Sequence, residues 1–97
     1  MEIYYVMTEA VPNPGNPESK DVGGAYINCF VNAASKEDAI IKVKEYINAE
    51  NWEFFQVKDI FIAKRDMYTD EPESLECYDE ASQYGLGAVF YTWSKEP

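Results

Sequence analysis

A helical stripe of apolar residues in the middle of the chain most constrains the fold. Ser35 can cap its start, and Asp38 completes a near-match to a capping box with a favourable charge in the first turn. Asn48 or Asn51 can end the helix. An amphipathic helix buries its apolar side against another layer, so the flanking segments must supply one. The stripe consists of Ala39, Ile40, Val43, Tyr46 and Ile47.

The segment before this helix, residues 24–33, alternates with the period of a strand. One row of its side chains is apolar and suits a core beneath helices. The other row mixes aromatic and amide side chains, as expected of a sheet face that stays partly wet or meets a partner. The apolar row is Ala25, Ile27, Cys29 and Val31, and the mixed row is Tyr26, Asn28, Phe30 and Asn32.

Three further strands and a second helix complete the pattern. Residues 2–9 and 86–93 are rich in aromatic and β-branched residues and predict the first and last strands. Residues 53–65 predict a strand whose apolar phase slips, which indicates a bulge near Lys58 and Asp59. Residues 72–84 predict a helix that stops at Gly85, a residue suited to the left-handed cap position.

The order of elements is therefore β-β-α-β-α-β in a chain of 97 residues, which we interpret as one α+β domain spanning 1–97. The simplest packing is a two-layer sandwich: a mainly antiparallel four-stranded sheet with both helices on one face, either ferredoxin-like or a permuted relative. Residues from about 11 to 24 contain three prolines, three glycines and two asparagines, so they predict a flexible loop.

Charge is distributed unevenly. The net charge is −10, and residues 66–97 hold eight acids against Lys95 alone. Nucleic acids and anionic membranes attract proteins mainly through Lys and Arg, so this balance disfavours both as direct partners. It favours solubility and attraction to basic partners.

The sequence lacks the residues and motifs on which most enzymes depend. The chain has no histidine, the usual base near neutral pH and the commonest metal ligand. It also lacks phosphate-binding, dinucleotide-binding and nucleophile-elbow motifs. We therefore predict a protein that is not an enzyme and that uses no cofactor. Carboxylate pairs in a cleft are the remaining catalytic alternative.

The segment DEPESLECYDE, residues 70–80, is the sharpest functional candidate. On a helix wheel its acids lie opposite the apolar residues, so they form an outer face. An exposed helix offers too few oxygens for a calcium site, which leaves a solvated face or a surface for a basic protein. Small inhibitors of toxins and nucleases, of the bacterial immunity-protein kind, are similar in size and charge. The partner-binding candidates are Asp70, Glu73, Glu76, Asp79 and Glu80.

Aromatic residues suggest a second candidate surface. Fifteen aromatic residues are more than so small a core needs, so some rings should reach the surface. Tyr26, Phe30, Tyr91 and Trp93 could form an open patch on the sheet. The alternative function is a small homodimeric domain that binds a small ligand in an aromatic-lined pocket or groove. Tyr5, Tyr26, Phe30 and Trp93 would contribute to that pocket.

The expected compartment is the cytoplasm. Residues 1–11 resemble no signal peptide, and no apolar run approaches the ~18–20 residues of a membrane span. Cys29 lies in the apolar row and Cys77 beside a helix face, so we interpret both as buried free thiols. A single disulfide between them is the alternative.

Overall fold

Two helices and a four-stranded antiparallel sheet make up an α+β protein in the computed structural model, which describes residues 1–95. Helix α1 spans Lys36–Ala49 and α2 spans Pro72–Tyr84. Short 3-10 helices lie at Pro17–Lys20 and Arg65–Tyr68. The sheet order is β3-β1-β2-β4, so the two long hairpin strands are central and β3 and β4 are the edges. The strands are β1 Glu2–Pro12, β2 Val22–Ala33, β3 Trp52–Ile62 and β4 Leu86–Ser94.

Helix α1 covers one face of the sheet, called here the α1 face. Ser35 caps the helix by accepting the Asp38 N–H at 3.0 Å, and Asp38 accepts the Ala34 N–H at 3.1 Å. The predicted capping residues are thus confirmed. The fully buried helix residues pack against the apolar row of β2 and the matching side chains of β1. These helix residues are Ala39, Val43 and Ile47.

Helix α2 lies on the opposite face, called here the α2 face. Phe30 belongs to the other row of β2, and it packs with Cys77 and Ala81 of α2 and with Tyr68 of the preceding 3-10 helix. The backbone of Cys77 lies so close to Gly87 that an added Cβ there would be 2.4 Å from the Cys77 carbonyl oxygen. The predicted two-layer sandwich with both helices on one face, ferredoxin-like or permuted, is therefore wrong, because the sheet lies between two helical layers.

The physical reason is that part of the sheet is apolar on both faces. Ile3 and Phe30 form a second buried cluster that α1 cannot reach through the sheet. The chain leaves β3 at one edge and enters β4 at the other, so its connection must cross the whole sheet. Crossing on the α2 face covers this second cluster and removes its apolar area from water.

The phase slip in β3 is a bulge, as predicted. Pairing with β1 shifts register between Met7 and Thr8, which leaves Lys58 unpaired between Val57 and Asp59. A second shift between Glu9 and Ala10, not foreseen, leaves Phe55 unpaired. Phe55 is 64% exposed. Both irregularities lie on an edge strand, where bulges are common.

The segment predicted as a loop from 11 to 24 is shorter in the structure. Strand β1 continues through Pro12 and β2 begins at Val22, so the connection spans 13–21 and contains one 3-10 helix. Asn51 holds it: its carbonyl oxygen accepts the Asn13 N–H at 3.1 Å and the Asn16 amide at 3.0 Å. Asn16 is buried and also caps the 3-10 helix by accepting the Glu18 N–H at 2.9 Å. Side-chain hydrogen bonds thus allow regular structure in a sequence rich in Pro and Gly.

Candidate functional site

Helix α2 presents its predicted acidic surface to solvent. Pro72 occupies the first turn, where a missing N–H is tolerated, and Gly85 ends the helix with a φ of 104°. Cys77 and Ala81 are buried, and Leu75 and Tyr78 are half-buried. Cys77 therefore lies in the centre of the buried side rather than at its margin. All five predicted partner-binding residues are exposed: Asp70, Glu73, Glu76, Asp79 and Glu80.

On the side of α2 that faces β3, the negative charge of the acid is neutralised by a basic side chain. Arg65, in the 3-10 helix that follows β3, donates to both carboxylate oxygens of Asp79, at 2.9 and 3.1 Å. These hydrogen bonds hold the pKa of Asp79 below its ordinary value. Within residues 66–97 these acids are accompanied in sequence by Lys95 alone, but Asp79 takes its basic partner from just outside that segment. Fourteen residues separate the partners, so no helical spacing could reveal the pair.

The side of α2 that faces β4 is not compensated. Glu73 accepts a hydrogen bond from the Tyr91 hydroxyl at 2.9 Å, and this bond raises the pKa of Tyr91. Glu80 follows Glu73 by seven residues, about two turns of the helix, so the two carboxylates lie on the same side of α2. Among residues 1–95, no Lys or Arg forms an ion pair with Glu73, Glu76 or Glu80.

Three of the four predicted surface aromatics form an exposed patch beside this acidic side. Tyr26, Tyr91 and Trp93, called here the aromatic patch, are 39%, 47% and 37% exposed. Tyr26 and Tyr91 are directly opposite in the sheet, and the rings of Tyr26 and Trp93 lie 5.0 Å apart. Trp93 lies directly over Gly24, where an added Cβ would be 2.4 Å from its ring. The patch occupies the half of the α2 face that the helix leaves open.

Phe30 does not belong to this patch. It is 2% exposed and contacts Tyr5, Tyr68 and Tyr78 edge-on, with ring centroids 5.0 to 6.2 Å apart. The prediction of Phe30 as a surface residue is therefore wrong, because α2 and the preceding 3-10 helix cover this end of β2. Alternation along a strand predicts which residues share a face of the sheet, but a helix can cover one part of that face and leave the rest exposed.

The residues of the small-ligand alternative are not gathered around a described cavity. Tyr5 is half-buried and stacks on Phe61 with ring centroids 4.9 Å apart, while Phe30 is core. One surface depression, about 500 Å³ in volume, lies along α2. Another, about 410 Å³, lies beside the 13–21 connection. Neither is lined by Tyr5, Tyr26, Phe30 or Trp93.

The two cysteines are free and buried, which confirms the thiol assignment. They lie in different clusters on opposite faces of the sheet. Burial raises the pKa of Cys29 to about 12 and that of Cys77 to about 11. Neither thiol therefore has the lowered pKa of a nucleophile.

Buried polar groups include two without a hydrogen-bond partner. They are the Tyr68 hydroxyl and the Asn28 side-chain oxygen, both on the α2 face. Within the described residues, no three His, Cys, Asp or Glu side chains are clustered closely enough to hold a metal ion. No helix in that part of the chain is long and apolar enough to cross a membrane.

Comparison with known proteins adds no relative: no protein-family model, curated protein or solved structure matches this chain.

Proposed function

We propose that this chain is a small non-enzymatic binding protein that masks a basic protein, as an inhibitor or immunity-type protein would. The supporting observation is the side of α2 that faces β4, where Glu73, Glu76 and Glu80 have no basic ion-pair partner among residues 1–95. The aromatic patch adjoins that side through the hydrogen bond between Glu73 and Tyr91.

Self-repulsion within α2 supports a role for these acids beyond solvation. Glu73 with Glu76, and Glu76 with Glu80, are like-charge pairs at helical spacings of three and four. Each pair destabilises a helix by about 0.2–0.5 kcal/mol, where an acid–base pair would stabilise it by a similar amount. A basic partner converts this repulsion into attraction and accelerates association by electrostatic steering.

The aromatic patch would supply the apolar part of the interface. Tyr and Trp are enriched at the centres of interfaces, where their rings bury area with little loss of side-chain freedom. Asp79 contributes less to such a surface because Arg65 already neutralises it. We place the protein in the cytoplasm, and its two free thiols support that assignment.

Charge reversal tests the proposal. The full chain and a Glu76→Lys/Glu80→Lys variant are used to capture proteins from the native lysate at low salt. Retained proteins are then eluted at high salt, because screening weakens exposed charge pairs. We expect a basic protein in the eluate and, for the reversed variant, affinity for it reduced by about tenfold or more.

The matched control is Glu45→Lys/Glu53→Lys. Both residues are exposed and lie outside α2, and the double reversal changes the net charge equally, from −10 to −6, since each Glu→Lys adds two charges. Equal loss of binding in the two variants would reduce the effect to net charge and would contradict the proposal. Retained proteins that are not basic would contradict it as well.

A further inference from the structure

Strand β4 is an edge strand without protection against strand addition. Its outer side pairs with no other strand, because the sheet order ends at β4. Its nine residues, LGAVFYTWS, include no charged residue and no proline. The one register shift in its pairing lies on the β2 side, between Val22 and Gly24. Natural proteins usually protect an exposed edge with charges, prolines or bulges.

The backbone groups that point away from β2 can be identified. Asn32 donates its N–H to the Gly85 carbonyl at 2.9 Å, which makes this a hydrogen-bonded pair. Hydrogen-bonded and non-bonded pairs alternate in antiparallel strands. The next bonded pairs therefore involve Gly87, Val89, Tyr91 and Trp93. The N–H and C=O groups directed outward belong to Leu86, Ala88, Phe90 and Thr92.

The two faces beside this edge differ in chemistry. On the α2 face, an added strand would lie beside Glu73, which is hydrogen-bonded to Tyr91, and beside Glu80 on the same side of α2. On the α1 face, it would lie beside Phe90, whose ring is 6.4 Å from Tyr46 and 5.5 Å from Trp52. A strand with basic side chains on one face and apolar side chains on the other complements both surroundings.

We propose that β4 binds an extended segment of a basic protein by strand addition. Lys or Arg at alternate positions of the segment face Glu73, Glu76 and Glu80, and the intervening apolar residues pack beside Phe90 and Tyr46. This inference rests on the proposed function and specifies how the basic partner is held. Main-chain hydrogen bonds supply affinity and the alternating side chains supply specificity.

A second copy of this chain fits the edge less well. An antiparallel pair of β4 strands has a twofold axis perpendicular to the sheet, so both copies would present α2 on the same side. The acidic sides of the two helices would then face each other across the axis. Each copy carries a net charge of −10, and like charges at close range oppose association.

Amide exchange tests the strand addition directly. The probe is a peptide that matches the nine residues of β4 in length and alternates Lys with Val. NMR of the labelled full chain follows the outward amides of Ala88, Phe90 and Thr92. We expect the peptide to slow their exchange by about tenfold or more. The amides of Gly87 and Val89, already bonded to β2, should change little.

Two controls isolate the backbone and the charge. Thr92→Pro removes one outward N–H without breaking a bond to β2, and Thr92→Ala keeps that N–H. We expect about tenfold weaker peptide binding for Thr92→Pro and near-normal binding for Thr92→Ala. A peptide that alternates Glu with Val should not bind.

The outcomes separate this inference from the proposed function. Peptide binding that perturbs α2 and the aromatic patch without protecting the outward amides would overturn strand addition and leave a basic partner in place. The absence of peptide binding would overturn strand addition too. Protection that depends on protein concentration and needs no peptide would assign the edge to a second copy. The proposed function fails separately, if charge reversal on α2 leaves capture of the basic protein unchanged.

Discussion

The two edges of the sheet are built differently. Strand β3 carries Glu53, Lys58 and Asp59 within its eleven residues and contains two bulges. Strand β4 carries no charge within its nine residues and pairs regularly with β2 along Gly24–Val31. Bulges and charges hinder the addition of another strand, so β3 is protected against further pairing and β4 is not.

The flanking sides of α2 follow the same division. On the β3 side, Arg65 neutralises Asp79, and on the β4 side the acids meet only a tyrosine hydroxyl. The unprotected edge and the uncompensated charge thus occur together. Both kinds of protection therefore lie on the β3 side of the molecule, and the β4 side, where we propose that a partner binds, has neither.

The largest expected effect concerns how α2 is seated on β4. In Gly87→Ala the new Cβ would collide with the Cys77 backbone, which has no freedom to move aside without shifting the helix. We expect the free energy of unfolding to fall by about 1–3 kcal/mol, measured by urea denaturation.

Gly24→Ala is the matched control for that prediction. Its Cβ would also meet an atom at 2.4 Å, but that atom belongs to the partly exposed ring of Trp93, and the nearest backbone atom, the Ala10 carbonyl oxygen, is 3.0 Å away. A side chain can rotate away, so we expect a smaller loss, about 1 kcal/mol or less, with a change in Trp fluorescence. Equal losses in both variants would contradict the close seating of α2 on β4.

Smaller losses in the free energy of unfolding are expected where the ends of β3 and β4 contact the 13–21 connection. Asn51 precedes β3 and has a φ of 69°, a conformation that costs alanine about 1 kcal/mol. Lys95 follows β4 and donates its ammonium to the exposed Ser19 carbonyl at 2.9 Å. We expect Asn51→Ala to lower the free energy of unfolding by about 1 kcal/mol and Lys95→Ala by about 0.5 kcal/mol or less.

Asn51→Gly separates conformation from side-chain contact at this position. Glycine adopts the same φ without strain and removes the bond from the Asn13 amide to the Asn51 side-chain oxygen. We expect it to be more stable than Asn51→Ala. A glycine variant as unstable as the alanine variant would show that the side chain, and not the backbone conformation, is what matters.

The smallest expected effect is a change in the pKa of Asp79, which tests the difference in charge between the two sides of α2. The Arg65 hydrogen bonds lower the pKa of Asp79, so the pair stabilises the fold above the ordinary pKa of an aspartate, and this stabilisation is lost as the pH falls through the lowered pKa. In Arg65→Gln we expect the pKa of Asp79 to rise toward its ordinary value, measured by NMR titration of the carboxyl carbon.

Asp38 provides the internal reference for that titration. Its pKa is also lowered, first by the Ala34 N–H and then by Lys42, and it lies on α1. Its titration should be unchanged in Arg65→Gln. An unchanged pKa of Asp79 would mean that Arg65 does not neutralise Asp79 in solution. The two sides of α2 would then not differ in charge compensation.

Local patterns in the sequence were sufficient for the elements. The capping of α1 by Ser35, the stop at Gly85 and the bulge near Lys58 all depend on residues close in sequence. The exposure of the α2 acids follows from the period of the helix in the same way. Which residues of a strand are covered by a helix could not be predicted. Tyr26 and Phe30 share one row of β2, and only the position of α2 leaves Tyr26 exposed and buries Phe30.

The sequence by itself therefore determined the class of the fold, the order and approximate bounds of its helices and strands, and the acidic outer side of α2. These depend on interactions between residues a few positions apart, which leave a periodic trace. The tertiary structure alone decided that the helices lie on opposite faces, that Arg65 neutralises Asp79, and that β4 is the unprotected edge. Those features join residues distant in the chain, and burial of the second apolar cluster selects them only when the whole sheet has formed.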